Sequence, residues 1–312
     1  MKNNDKTITN MQKFMRPLNM NGLEGRMLRM SGSKDIKKEI LLVYGHHSSL
    51  ERMFGLAEAF NDYGAVTMPD LPGFGGMDSY HDIGIVPSID SMADYMASFI
   101  RLRYRKKKIT IVAMSLGFVI ITRMLQRYPE LASRVELLIS VVGFSHKYDF
   151  ELPRSRMFFY KNAARILSRK IPAAFFYNVA LHPSVIRTIY SNTYNAKNKF
   201  ENLDPAEKKK AMDFEVLLWR INDVRTYMNM TVEFLTLDNC RQQVPLAVEH
   251  VSVSADQYFD KEAVEQHMRV IFTDYTEHVA KVPNNAPSIL ATKREAEPLI
   301  PVSIRKLMKS SK

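Results

Sequence analysis

The chain has 312 residues, 46% of them hydrophobic and 25% charged, with a single cysteine, Cys240. This is the composition of a globular protein with ample core, which excludes collagen-like, coiled-coil and disordered classes; the lone cysteine excludes an internal disulfide framework and fits a reducing compartment. The formal charge of +11 is unevenly placed, since residues 151–200 hold nine Lys/Arg against one acid, Glu151.

No period of 20–50 residues repeats, which argues against solenoids and propellers. Ile40–Tyr44 (ILLVY) is a short, wholly apolar run closed by Gly45, the pattern of a strand buried on both faces, and Leu50–Asn61 after it has helical spacing. A strand over Ala65–Met68 follows, then a Pro/Gly loop, Asp70–Gly76 (DLPGFGG), and a helix over Ile89–Arg103. Lys108–Ala113 (KITIVA) reads as a strand, Gly117–Tyr128 as a helix that stops before Pro129, and Val135–Val142 (VELLISVV) as a further buried strand. This alternation with short connections predicts a mostly parallel, doubly wound α/β sheet with right-handed crossovers.

From His146 to Cys240 the apolar strand runs cease and helical stretches take over, at Arg156–Lys170, Ile171–Leu181, Pro205–Arg220 and Asp223–Leu237. Strand character returns at Val248–Ser254, followed by a helix over Lys261–Tyr275, a short strand His278–Val282 and a helical tail. The expected organisation is a core of residues 1–145 and 241–312 with a helical cap, residues 146–240, inserted into it.

Ala113-Met114-Ser115-Leu116-Gly117 stands where a strand turns directly into a helix. Small residues two before and two after the serine let strand and helix backbones approach, and such a sharp turn projects the hydroxyl outward as a nucleophile elbow. A serine that only caps the following helix is the plainer alternative.

On these residues the chain resembles the α/β-hydrolase superfamily, over roughly residues 20–145 and 240–305. Tyr44-Gly45-His46 is similar to that family's His-Gly oxyanion turn, and Asp70-Leu71-Pro72-Gly73-Phe74-Gly75 with Ser79 is similar to its Asp-x-x-Gly-x-Gly-x-Ser loop. The resemblance implies the α/β-hydrolase fold with a helical lid, Ser115 as nucleophile, and Asp256 as the triad acid. It also implies the N–H groups of His46 and Leu116 as oxyanion donors, with Gly45, His47, Met114 and His146 beside the substrate. His146 could instead hydrogen-bond lid backbone, and His46 and His47 could be exposed loop residues.

The third triad member should be a histidine after the last strand, where the chain reads Val282-Pro283-Asn284-Asn285-Ala286-Pro287. Asn285 holds the place expected for the base, and an amide cannot accept the serine proton. His278 is the fallback base, although seven residues at about 3.3 Å each would leave it on the order of 20 Å from the turn. His250 reads as structural, and His81, His182 and His267 as surface or lid positions. Asp260 reads as the N-cap of the helix beginning at Lys261, and Cys240 as a structural thiol. No metal-ligand spacing, Walker loop or dinucleotide fingerprint occurs, so no metal or other cofactor is expected.

In the cap, Met157-Phe158-Phe159-Tyr160, Ile166-Leu167 and Ala173–Leu181 alternate with Arg154, Arg156, Lys161, Arg165, Arg169 and Lys170, giving basic helices with an aromatic face. Packing of that face down over a pocket is the expected use, and contact with an anionic membrane surface is the alternative. The basic runs at 101–108 and 305–312 belong to no recognised nucleic-acid module, so nucleic acid is not expected as a partner. No run reaches the roughly 18 apolar residues of a membrane-spanning helix, and the N-terminus lacks an apolar leader segment, so a cytoplasmic protein is expected. The leading functional reading is an esterase- or lipase-like serine hydrolase acting on a hydrophobic ester. The rival is an impaired relative that keeps the pocket and binds a ligand, a partner or an anionic membrane surface.

Overall fold

The computed structural model describes residues 11–33, 36–192, 204–254, 256, 258–282 and 292–310. Eight strands form one sheet: β1 (Met15–Met20), β2 (Leu23–Met30), β3 (Glu39–Val43), β4 (Ala65–Pro69), β5 (Ile109–Met114), β6 (Val135–Val141), β7 (Val244–Val253) and β8 (Phe272–Ala280). Their spatial order is β1-β2-β4-β3-β5-β6-β7-β8. The β1–β2 and β2–β4 pairs are antiparallel and all others parallel. The β1–β2 hairpin, which the sequence reading did not anticipate, turns on Asn21-Gly22, both with positive φ (55° and 80°). An Asn-Gly pair between alternating residues is the signal that announces such a turn.

β3 (EILLV) and β5 (ITIVAM), mainly apolar and buried along almost their whole length, lie in the middle of the sheet, where both faces are covered. From β3 the chain passes through α1 (Leu50–Asn61) to β4 on one side, then through α2 (Ile89–Tyr104) back across β3 to β5. Right-handed crossovers in opposite directions put α1 and α2 on opposite faces. The helix after β5, α3 (Leu116–Arg127), continues in the direction of α2 and packs beside it.

Between β6 and β7 the chain leaves the sheet to build the cap from α4 (Arg154–Leu167), α5 (Lys170–Val179), α6 (Pro183–Asn192), α7 (Pro205–Ile221) and α8 (Val224–Phe234). The α6 helix was not expected. The cap has its own small core of Ala164, Ala173, Leu181, Ile186, Val216, Val224 and Met228. After β7, α9 (Lys261–Ile271) leads into β8, and α10 (Lys293–Ala296) and α11 (Val302–Ser310) close the fold. No helix among the described residues is long and apolar enough to cross a membrane.

One correction concerns β8, which begins at Phe272 rather than His278. The apolar positions Val264, Met268 and Ile271 are buried by α9, and Tyr275 continues their helical spacing although it is buried from a strand. The expected helix therefore ran four residues too far.

Two packing features can be tested. A Cβ on Gly117 would stand 2.5 Å from the Tyr44 carbonyl oxygen and 2.6 Å from that of Val43, so α3 presses on the end of β3. Alanine normally favours a helix over glycine by about 1 kcal/mol, but here Gly117→Ala should cost about 2 kcal/mol in urea unfolding; an unchanged or higher midpoint would show that the helix does not bear on the strand. Between β6 and β7, the Ser140 hydroxyl lies 3.0 Å from His250 Nδ1, and burial lowers that imidazole from 6.5 to about 3. The folded form thus binds fewer protons than the unfolded chain, so this contribution is complete above about pH 6.5 and drains as pH falls toward 3. His250→Gln should shrink the loss of unfolding free energy between pH 7 and 5 by about 2 kcal/mol; an unchanged pH slope would contradict the assignment.

Candidate active site

Ser115 is the only residue between β5 and α3, and its backbone sits at φ 48°, ψ −121°, a conformation that L residues rarely adopt. Three contacts hold it there. The Ser115 N–H donates to the Val141 carbonyl (3.1 Å), and the Ser115 carbonyl accepts from Phe118 N–H at 2.9 Å and Val119 N–H at 3.3 Å. On the other side the 44–48 turn runs so close that a Cβ on Gly45 would lie 2.9 Å from Ser115 Cβ and 3.4 Å from its Oγ. Leu116 is the first residue of α3, where N–H groups lack intrahelical acceptors, and His46 lies on the adjoining turn. Neither N–H has an acceptor among the described residues. Val142, at the exit of β6, is a second strained position at φ 48°.

Ser115 opens on a cavity of about 430 Å³ walled by Met114, Leu116, Val142 and Phe144 from the core and by Tyr190, Trp219, Tyr227 and Phe234 from the cap. His46 and His47 belong to the same wall. The His46 ring lies 3.8 Å from the Tyr227 ring and 5.2 Å from that of Phe234, measured between centroids. Its Nε2 is 3.0 Å from the Tyr227 carbonyl oxygen, which can only accept, so Nε2 carries the proton. Burial lowers this imidazole to about 3 and keeps it neutral. His47 Nε2 lies 3.1 Å from Glu215 Oε2, the Tyr190 hydroxyl donates to the same oxygen at 3.1 Å, and Trp219 Nε1–H donates to Tyr190 at 3.3 Å. Arg52 donates to the His47 carbonyl at 2.9 Å. This polar seam of Arg52, Tyr190, Glu215 and Trp219 was missed from sequence. Its signal is one acid, Glu215, embedded in the apolar run Phe214–Trp219, one turn before the chain's sole tryptophan.

The Asp70–Gly76 loop serves as a mooring. The Asp70 carboxylate is fully buried, accepts from the Tyr44 hydroxyl (2.8 Å) and lies 3.2 Å from Arg26 Nε; the same Tyr44 hydroxyl accepts from Leu71 N–H at 2.9 Å. Burial pushes the Asp70 carboxyl well above its ordinary range, against the pull of Arg26. Tyrosine at position 44 thus has a structural reason, since its hydroxyl ties the end of β3 to this loop. The cap is bolted to the loop in turn: Gly75 N–H donates to Asn222 Oδ1 at 2.9 Å, Asp223 N–H to the Gly73 carbonyl at 2.8 Å, and the Ser79 and Thr226 hydroxyls lie 2.8 Å apart.

Among the described residues, none of Asp256, His278 and His146 is hydrogen-bonded to Ser115. Asp256 Oδ1 accepts from Tyr258 N–H (2.8 Å) and Phe259 N–H (3.1 Å), two residues that line the Ser115 cavity, and Asp256 borders a small adjoining cleft with His250, Lys261 and Glu277. Asn285 lies outside the described residues. His278 is corrected: its Nε2 is 2.6 Å from Glu249 and its Nδ1 2.7 Å from Ser303, on a strand three places from β5, about 14 Å at the usual strand spacing. His146, expected beside the substrate or on lid backbone, forms an isolated backbone bridge with Asp238 at the end of the cap. Its Nδ1 accepts from Tyr148 N–H, and its ring stacks 4.3 Å from that of His267, which bonds to Asp149 at 2.5 Å.

His81 meets Asn229, His182 meets Ser184, and His250 meets Ser140. All eight histidines of the chain are therefore placed, and none is hydrogen-bonded to Ser115 Oγ. Asp260 caps α9, accepting from Glu262 and Ala263 N–H groups. Burial pushes the Cys240 thiol up to about 11, and no cluster of His, Cys, Asp or Glu among the described residues could hold a metal ion.

The family model described as alpha/beta hydrolase fold matches residues 39–227, more than half of the chain. Among solved structures, a thermophilic esterase from Thermogutta terrifontis superposes with a TM-score of 0.60 at 15% identity, covering 95% of this chain and 99% of its own. A carboxylesterase study from Nitrososphaera gargenis gives 0.64 at 12%, covering 95% and 100%, and an N-acyl homoserine lactonase gives 0.64 at 17%, covering 95% and 96%. At such identities the likeness is one of fold. No curated protein sequence matches the chain. With the matched family model, the parallel sheet and the cap inserted after β6, the chain belongs to the α/β-hydrolase fold family.

Proposed function

We propose that the cavity binds a hydrophobic ester and that Ser115 is its acyl acceptor, working slowly for want of an imidazole base. The observation that carries this reading is the strained turn at Ser115, whose oxygen borders an aromatic cavity beside the N-terminus of α3. In the step envisaged, Ser115 Oγ bonds to the ester carbonyl carbon and the alcohol departs with a proton. Water then cleaves the acyl-serine ester to return the serine and release the acid. The developing oxyanion would be met by the Leu116 and His46 N–H groups, and such donors with binding alone can retain a rate 10³–10⁴ above water when triad members are missing. A neutral His46 with Nε2–H committed to Tyr227 would keep its place in the wall throughout the ordinary pH range.

The second reading is a hydrolase-fold protein that binds a hydrophobic ligand without turning it over. It is favoured by the lack, among the described residues, of any hydrogen bond between an imidazole and Ser115 Oγ, with His46 and His47 of the cavity wall engaged by the Tyr227 carbonyl and Glu215.

The two readings separate experimentally. A fluorophosphonate probe should label the wild type and not Ser115→Ala, and hydrolysis of a p-nitrophenyl acyl ester should depend on Ser115. Without a base near pKa 7, log kcat/KM should climb by about one per pH unit from 7 to 9 as hydroxide takes over the proton. Asn285→His should raise kcat/KM tenfold or more and introduce a plateau near neutral pH, and adding Asp256→Asn should cancel the gain. No labelling and no Ser115-dependent turnover in either background would leave the binding reading standing.

A further inference from the structure

We infer that the outer face of α4 and α5 is a docking surface for an anionic lipid bilayer. The aromatic and aliphatic side chains of these helices divide: Leu167, Phe176 and Tyr177 pack against the cap core as expected, while a second set turns the other way. The only buried residues are Ala164 in α4 and Ala173 in α5. At 100° per residue, Phe158, Phe159 and Ile166 fall within an arc of about 100° opposite Ala164, and Ile171, Phe175 and Val179 within about 80° opposite Ala173. These side chains face solvent, with exposures of 83% at Ile171, 67% at Phe175 and 66% at Phe159.

The charge identifies what covers them. Residues 152–192 contain seven Lys/Arg and no Asp or Glu. Arg187 pairs with Asp213, but Arg154, Arg156, Lys161, Arg165, Arg169 and Lys170 form no ion pair among the described residues. Around the α4 stripe, Arg154, Lys161 and Arg165 lie along one border and Arg156 along the other. An apolar stripe bordered by long cationic side chains suits the headgroup boundary of an anionic membrane, where rings enter the acyl edge and cations stay with phosphates. A second copy of this chain would set six unpaired cations against six, and therefore fits the charge badly.

The test is co-sedimentation of the full chain with phosphatidylcholine vesicles and with vesicles containing 30% phosphatidylglycerol, at low and high salt. Binding to the anionic vesicles alone, abolished by high salt, is expected. Affinity should fall about fivefold for each cation removed. The combined Arg165→Glu, Arg169→Glu and Lys170→Glu variant should therefore lose binding, as should Phe159→Ser with Ile171→Ser and Phe175→Ser. All six positions are exposed, so unchanged thermal unfolding should accompany both losses. No sedimentation at low salt, equal binding to neutral vesicles, or wild-type binding by either variant would overturn the inference. So would a dimer that the serine variant dissolves in the absence of any vesicle binding.

Discussion

The structure turns on a steric constraint at the junction of β5 and α3. For a central parallel strand to pass into a helix through one residue, that residue must take up a backbone strain of order 1–3 kcal/mol. The strain at Ser115 is over-determined by its surroundings: the Val141 carbonyl on β6, the first turn of α3, and the turn at Gly45 all bear on it. Gly117 lets the helix come within reach of the β3 carbonyls, which a side chain would prevent. The same geometry sets the serine oxygen at the carboxyl end of the sheet, where open α/β sheets collect ligands.

Around that corner, two polar seams hold the cap. One runs from Arg26 through Asp70 and Tyr44 to the 70–76 loop, and from that loop to Asn222, Asp223 and Thr226. The other joins His47 of the core to Glu215, Tyr190 and Trp219 of the cap. Between them lies the aromatic cavity. Buried carboxylates need such partners, because a carboxylate left unpaired away from water would be strongly unfavourable. Six of the histidines are dispersed into caps, ring contacts and sheet contacts, whereas His46 and His47 stand in the cavity wall with their Nε2 atoms engaged by the Tyr227 carbonyl and by Glu215.

Legibility in the sequence followed burial. The strands from β3 to β6 were readable because both faces are covered, which demands uninterrupted apolar runs, and the elbow was readable because its small residues answer a local steric need. The edge strand β8 was not: only Phe272, Tyr275 and Ala280 of it are buried, and Tyr275 mimics the spacing of the preceding helix. The hairpin at the opposite edge carried its Asn-Gly signal, yet its strands are only half-buried and their pattern is weak. The direction of the aromatic cap face was hidden for a different reason: spacing shows that a helix has two faces and not which of them meets the protein.

The sequence by itself determined the parallel core, the inserted cap and the corner at Ser115, since these depend on contiguous apolar runs and on residues small enough for close backbone approach. Only the tertiary structure decided which partners the imidazoles beside the serine take, that Tyr44 ties β3 to Asp70, and that Glu215 crosses from cap to core. Those contacts join residues up to 168 positions apart, as from His47 to Glu215, and no local propensity carries information over that distance.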